Sequence, residues 1–193
     1  MSLHDQPEMI YLMPFLEHAA STASVLIEIG CGLGNGSMRA FARGMARSAA
    51  PDKLYISVDI DTDKPMEKPD LPYWHIVYGP SEEESAAIAV EPLMAGRKAD
   101  IIFIDSIHTY EHMKLEHQWF SRFADENTTW IYHDTWIWGP YNPMTDAAKQ
   151  YAEANGLIYE DVTVLSHGLG MVSKAGHPDW PRPQGVDAEC PKL

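Results

Sequence analysis

Residues 25–37 read VLIEIGCGLGNGS. A short apolar, β-branched run (24–30), of the kind found in buried parallel strands, carries one acid, Glu28, near its end. Four glycines then follow at alternate positions: Gly30, Gly32, Gly34 and Gly36. Glycine has no side chain to pack and loses the most freedom on folding. A turn this rich in it, between a strand and the helix expected over 37–49 with Ser37 as N-cap, implies that something approaches the backbone closely.

Working outward, strands and helices alternate. Residues 8–20 have apolar side chains at helical spacing. Strands are expected at 54–61, 73–79, 99–105 and 128–134. Helices are expected from about Ser81, over 109–124, and over 145–156, the last starting at Thr145 or Asp146 and ending at Gly156. Residues 157–174 read as two strands joined by a tight turn through His167-Gly168. Five β-α units followed by a hairpin imply an α/β fold with a doubly wound sheet. The chain reads as a single domain over 1–175, with a proline-rich extended arm over 176–193. In such sheets ligands collect at the carboxyl ends of the strands, where 28–37, 59–63, 79–84, 105–108 and 133–142 all fall. One shared site is the expectation.

The formal net charge is −14, from 28 acidic and 14 basic residues. That argues against nucleic acid, whose phosphates need clustered Lys and Arg, and against an anionic membrane surface. Small neutral or cationic substrates stay open. No apolar run approaches the ~20 residues of a membrane helix, and the first residues lack a secretory pattern, so a cytoplasmic location is expected. The two cysteines, Cys31 and Cys190, make no disulfide framework; Cys31 reads as a small buried residue.

A dinucleotide needs G-x-G-x-x-G. Counted from Gly30 the sixth position is Asn35, and from Gly32 it is Ser37, so neither register supplies the third Gly or Ala. The segment 28–37 instead resembles the first motif of class I methyltransferases, E-x-G-x-G-x-G, which binds S-adenosylmethionine. That ligand has no phosphate and calls for no basic residue in the loop. The resemblance implies that Gly30, Gly32 and Gly34 line the methionine portion. Glu28 meets its amino group, directly or through water, and Asp59 accepts both ribose hydroxyl protons. Ser81 or Glu82 bonds the adenine beside Ile107; an alternative role for Ser81 is a helix N-cap with Glu84 completing a capping box.

The fourth strand ends in Asp105 with His108 three residues on, and the fifth ends in His133-Asp134. On neighbouring strands, Asp105, His133 and Asp134 would repel or desolvate one another unless a cation joins them. Hard oxygen ligands suit magnesium or calcium, and an imidazole moves the choice toward manganese, iron or zinc. The stretches ADIIFIDSIHTYE (99–111) and WIYHDTW (130–136) are similar to the metal-dependent small-molecule O-methyltransferases, in particular the methyltransferase 24 family, and GPSEE (79–83) to the adenine-side segment of the catechol O-methyltransferase branch.

The resemblance covers roughly residues 24–140. It implies a Rossmann-like, mostly parallel seven-stranded sheet in the order 3-2-1-4-5-7-6 with a C-terminal hairpin. It also implies Asp105, His133 and Asp134 at a divalent metal such as magnesium or manganese, Asp105 also facing the cofactor, and His108 as general base. His133 stands where related enzymes carry Asp or Glu, and the first motif runs one residue out of step with the catechol branch. The acceptor is expected to be a small molecule bearing a hydroxyl, with Trp136, Trp138 and Tyr141 as an aromatic wall, and a homodimer is plausible. Three rival readings share these residues: a cofactor-binding protein without turnover, an NAD-linked oxidoreductase, and a two-histidine iron site using His112. His112 and His117 are otherwise expected on a partly solvated helix face.

Overall fold

A computed structural model describes residues 7–61, 68–139, 141–177, 179–181 and 183. A short 3-10 turn, Pro7–Tyr11, precedes α1 (Met13–Thr22). The two pieces replace the single helix expected over 8–20, because Pro14 lies in the first turn of α1, where its missing N–H is tolerated. Then come β1 (Val25–Ile29), α2 (Ser37–Arg47), β2 (Leu54–Asp59), β3 (Trp74–Tyr78), α3 (Glu84–Met94), β4 (Ile101–Ile104) and α4 (Tyr110–Phe120). β5 (Thr129–His133), α5 (Pro143–Asn155), β6 (Ile158–Thr163) and β7 (Leu169–Ser173) complete the order.

The seven strands form one sheet in the order β3-β2-β1-β4-β5-β7-β6, as expected. β3 to β5 run parallel, and β7 lies antiparallel between β5 and β6. Every residue of β1, β2, β4 and β5 is buried, because both faces of these central strands are covered. Strand parity divides the core. Val25, Ile27 and Ile29 face the layer of α3, α4 and α5, where they meet Val90, Met113 and Ala148. Leu26 faces α1 and α2, packed with Phe15, Leu16, Phe41 and Met45. The two helices of that layer pack closely at Gly44, where an added Cβ would lie 2.3 Å from the Glu17 carbonyl oxygen and 2.6 Å from the Ala20 Cβ.

Three helix starts differ from the expected ones. Gly36 precedes α2, so Ser37 is its first residue and its hydroxyl is free to bond elsewhere. Glu83, not Ser81, precedes α3. Asn142 caps α5 by accepting from the Met144 N–H at 2.9 Å, ahead of Thr145 and Asp146. The β6–β7 connection is longer than a two-residue turn: Ser166 and His167 are left-handed (φ 54° and 67°), and the loop folds toward the tip of β5. The tail is anchored where it begins, with Trp180 packed edge-on against Phe15 at 5.5 Å and stacked with His177 at 3.9 Å. Cys190 lies outside the described residues. No helix among the described residues is long and apolar enough to cross a membrane.

Candidate functional site

Parallel strands end side by side, so the loops that follow them share one edge. Above the tips of β3, β2, β1, β4 and β5 lies a cavity of about 450 Å³, lined from each of the five expected loop segments and from His167 of the β6–β7 loop. Its floor depends on Gly30 (φ 81°): a Cβ there would sit 2.0 Å from the Asp105 carbonyl oxygen. No larger residue lets the tips of β1 and β4 meet.

On the β2 side, Asp59 is held by the backbone. Its Oδ2 accepts from the Gly32 N–H at 2.9 Å and its Oδ1 from the Asp61 N–H at 2.9 Å, which aims the carboxylate at the cavity. Gly30, Gly32, Ser81, Glu82 and Asp105 also stand on the wall; Glu28 and Gly34 do not. Glu28 shares its face with Leu26 and points under the start of α2. There Ser37 Oγ donates to it at 2.5 Å, Tyr55 Oη at 2.5 Å and Ser57 Oγ at 3.1 Å. Direct contact of Glu28 with a ligand is therefore replaced by an internal role, bracing β1, β2 and α2. Burial raises its carboxyl to about 7, against the pull of the three hydroxyl donors. Cys31 is buried as expected, and burial pushes its thiol far up.

Ser81 meets two buried residues of α4. Its hydroxyl donates to Glu116 Oε1 at 2.6 Å and stands 3.2 Å from His112 Nε2, which itself lies 3.2 Å from Glu116 Oε1. His112 and His117 are thus not on a solvated face. His117 is enclosed by Tyr132, Tyr151 and Trp130, and burial pulls its imidazole down to about 3. His112 Nε2 is committed to Ser81 and Glu116, and His112 does not join Asp105 and His108 in the group of possible metal ligands, so the two-histidine iron site is not formed among the described residues.

On the β4 and β5 side, His108 Nε2 lies 2.6 Å from Asp134 Oδ2 and 3.9 Å from Asp105 Oδ1. His133 Nδ1 lies 3.1 Å from Asp105 Oδ1 and 3.3 Å from Asp134 Oδ2, while its Nε2 faces the Ser166 carbonyl at 3.1 Å. A carbonyl and a carboxylate only accept, so both ring nitrogens of His133 carry hydrogen and the ring is an imidazolium. Burial works against that charge, but Asp105 and Asp134 override it and raise His133 to about 10. The same two carboxylates raise His108 to about 9. Burial is outweighed for the acids as well: the histidines hold Asp105 below its ordinary value and Asp134 far below it.

The donor atoms of Asp105, His108 and Asp134 all lie within 4.8 Å of one another. His133 falls outside this group, its nitrogens being spent on Ser166 and the carboxylates, and His108 takes the place expected for it. Two carboxylates and an imidazole suit a divalent ion of the magnesium–manganese kind. One oxygen is open for such use: Asp134 Oδ1 is buried and accepts no hydrogen bond, although His167 Nδ1 stands 3.3 Å away without alignment. Half of Trp138 is exposed beside this group, its ring 6.5 Å from that of His108, whereas Trp136 ties its backbone N–H to the His167 carbonyl. Sequence reasoning placed His167 in the terminal turn but not at the site, and missed Ser166, since only the antiparallel insertion of β7 brings their loop beside β5. Tyr55 and Ser57 were missed too: they meet Glu28 only because β2 pairs with β1 in a register that sets Ser57 opposite Glu28 and Tyr55 opposite Leu26, on the same face.

The fold is shared with solved methyltransferases. An O-methyltransferase from Bacillus cereus in complex with SAH aligns at TM-score 0.60 and 18% identity over 90% of this chain and 84% of that one. CalS11, a TDP-rhamnose 3′-O-methyltransferase of calicheamicin biosynthesis, aligns at TM-score 0.63 and 12% identity over 91% and 82%. MycE, from the mycinamycin pathway and in complex with Mg and SAH, aligns at TM-score 0.55 and 17% identity over 89% of this chain and 51% of that one. No curated protein sequence matches the chain. Residues 27–135, which include the glycine turn, Asp59 and the Asp105–His108–Asp134 group, match the methyltransferase domain of the methyltransferase 24 type, and the chain belongs to that family.

Proposed function

We propose that this protein transfers a methyl group from S-adenosylmethionine to a hydroxyl of a small molecule, with a divalent cation assisting. The observation that supports it is one cavity holding two different devices: a backbone-aimed carboxylate, Asp59, at the tip of β2, and the Asp105–His108–Asp134 group across the tips of β4 and β5. Their separation along the sheet edge suits a nucleoside bound at its ribose with its reactive end toward β4 and β5.

In this reading Asp59 accepts hydrogen bonds from the two ribose hydroxyls. The backbone of Gly30–Gly32 cradles the amino-acid portion, and Ser81 with Glu82 borders the adenine. The cofactor supplies a methyl sulfonium. Asp105, His108 and Asp134 orient the acceptor oxygen in line with that methyl carbon, about 3 Å away, and much of the acceleration comes from this positioning. His108 is the base in this reading: its Nε2, which faces both carboxylates, would take the hydroxyl proton from the neutral ring with that nitrogen unprotonated. Asp105 and Asp134, the latter through its open Oδ1, would hold a divalent cation, which would supply polarisation of the acceptor hydroxyl. His133, held by Ser166, keeps the two carboxylates apart and balances their charge. Trp138 and Ile137 offer an apolar flank to the acceptor.

Titration calorimetry with S-adenosylhomocysteine tests the cofactor assignment, with saturable binding as the expected result. Methyl transfer to a panel of phenolic and sugar hydroxyls, with manganese and with chelator, tests the rest. Binding without transfer to any acceptor would support the non-catalytic alternative.

A further inference from the structure

Ser81 is a cavity-wall hydroxyl bonded to a carboxyl group that no ligand can reach. Glu116 is fully buried, its Oε1 receives the Ser81 hydroxyl proton at 2.6 Å, and its Oε2 has no hydrogen-bond partner. A serine hydroxyl has one proton and two lone pairs. With the proton committed to a carboxylate oxygen, only lone pairs remain for the cavity. His112 Nε2 lies 3.2 Å from both Ser81 Oγ and Glu116 Oε1. Neither offers it a hydrogen, so Nε2 is the donor, and it fills one Ser81 lone pair and leaves the other. Glu82, the wall residue after Ser81, places its Oε2 3.8 Å from the same nitrogen and adds acceptor character. The Ser81 and Glu82 side chains therefore present acceptors to this end of the cavity.

We propose that Glu116, which touches no ligand, is a positioning residue: by holding the Ser81 proton it makes the cavity select a 6-aminopurine over a 6-oxopurine. The inference rests on the adenosyl reading of the cavity given above. A 6-amino group donates to Ser81; a 6-oxo group sets an acceptor against an acceptor, and that desolvated mismatch is costly.

The test is calorimetric binding of S-adenosylhomocysteine and S-inosylhomocysteine to the full chain, wild type and variants, with thermal melting as the check on folding. Wild type is expected to favour the adenosyl compound about tenfold or more. In Glu116→Leu the acceptor is gone and the Ser81 hydroxyl proton is free to turn toward the cavity, so the ratio falls toward one. Glu116→Asp keeps the carboxylate but withdraws it by one methylene, and the ratio falls again. A purely structural Glu116 would weaken both compounds alike and leave the ratio unchanged. That result in either folded variant, or equal binding of both compounds by wild type, overturns the proposal. If neither compound binds wild type, the adenosyl reading itself fails.

Discussion

His108 Nε2 lies 2.6 Å from Asp134 Oδ2, joining the loop after β4 to the end of β5 across a strand boundary. Asp134 has a left-handed backbone (φ 58°), which turns its carboxylate back over the sheet edge toward His108. A non-glycine residue in this conformation needs its surroundings to hold it, and Asn142 does so, donating from Nδ2 to the Asp134 carbonyl at 2.7 Å. The pair is the hinge of the proposed chemistry.

Replacing His108 by Asn removes the base but leaves the adenosyl end untouched. Methyl transfer is expected to drop about a hundredfold or more, while S-adenosylhomocysteine binds as in wild type. Turnover and calorimetry on the same preparation check it, and a fully active variant would remove His108 from the mechanism.

Asp59→Asn keeps the side-chain shape but gives up the charge that receives the ribose hydroxyls. Cofactor affinity is expected to fall about tenfold to a hundredfold, the loss of charge-assisted hydrogen bonds. Unchanged affinity would place the ribose elsewhere.

Asp105→Asn and Asp134→Asn each weaken the candidate cation site. Manganese is expected to raise the melting temperature of wild type and to raise it less, or not at all, in these variants. Equal stabilisation of all three would mean that the ion binds elsewhere.

Glu28 gives stability a pH dependence of known sign. Its ordinary value is 4.5 and burial raises it to about 7 in the folded protein. The folded state then holds the proton more tightly than the unfolded chain. The contribution is fully present below pH 4.5 and is lost as pH rises through 7, about 3 kcal/mol in all. Denaturant unfolding at pH 4.5 and pH 8 should show this loss in wild type relative to Glu28→Gln; parallel pH profiles would contradict it.

Gly30→Ala puts a Cβ against the Asp105 carbonyl in a left-handed conformation. The melting temperature is expected to fall by about 10 °C, from backbone strain and overpacking together. A melt within a degree or two of wild type would mean that the tips of β1 and β4 separate easily.

Much of this architecture was legible in the chain because it is local. The run at 25–29 is apolar but for Glu28 and mostly β-branched, the mark of a strand covered on both faces, and the alternation of strands with helices leaves few topologies. Asp59, Asp105, His108 and Asp134 could be placed together for the same reason: they follow strands that run parallel, and parallel strands end on one edge. The helix starts were less legible. Ser37, Ser81 and Thr145 all have capping chemistry, but Ser37 is drawn to Glu28, Ser81 to Glu116 and Thr145 to the Thr135 carbonyl, so Gly36, Glu83 and Asn142 precede the helices instead.

The sequence by itself determined the alternation of strands and helices and the edge where a ligand collects, because side-chain periodicity and strand direction are properties of short segments; the strand order was implied by the family resemblance. The tertiary structure alone decided what each polar side chain does there. Strand parity turned Glu28 inward, the β6–β7 loop brought the Ser166 carbonyl to His133, and α4 carried Glu116 to Ser81 across 35 residues of chain. A hydrogen bond is made or lost over a few tenths of an ångström, and such distances are set only when segments far apart in the chain pack together.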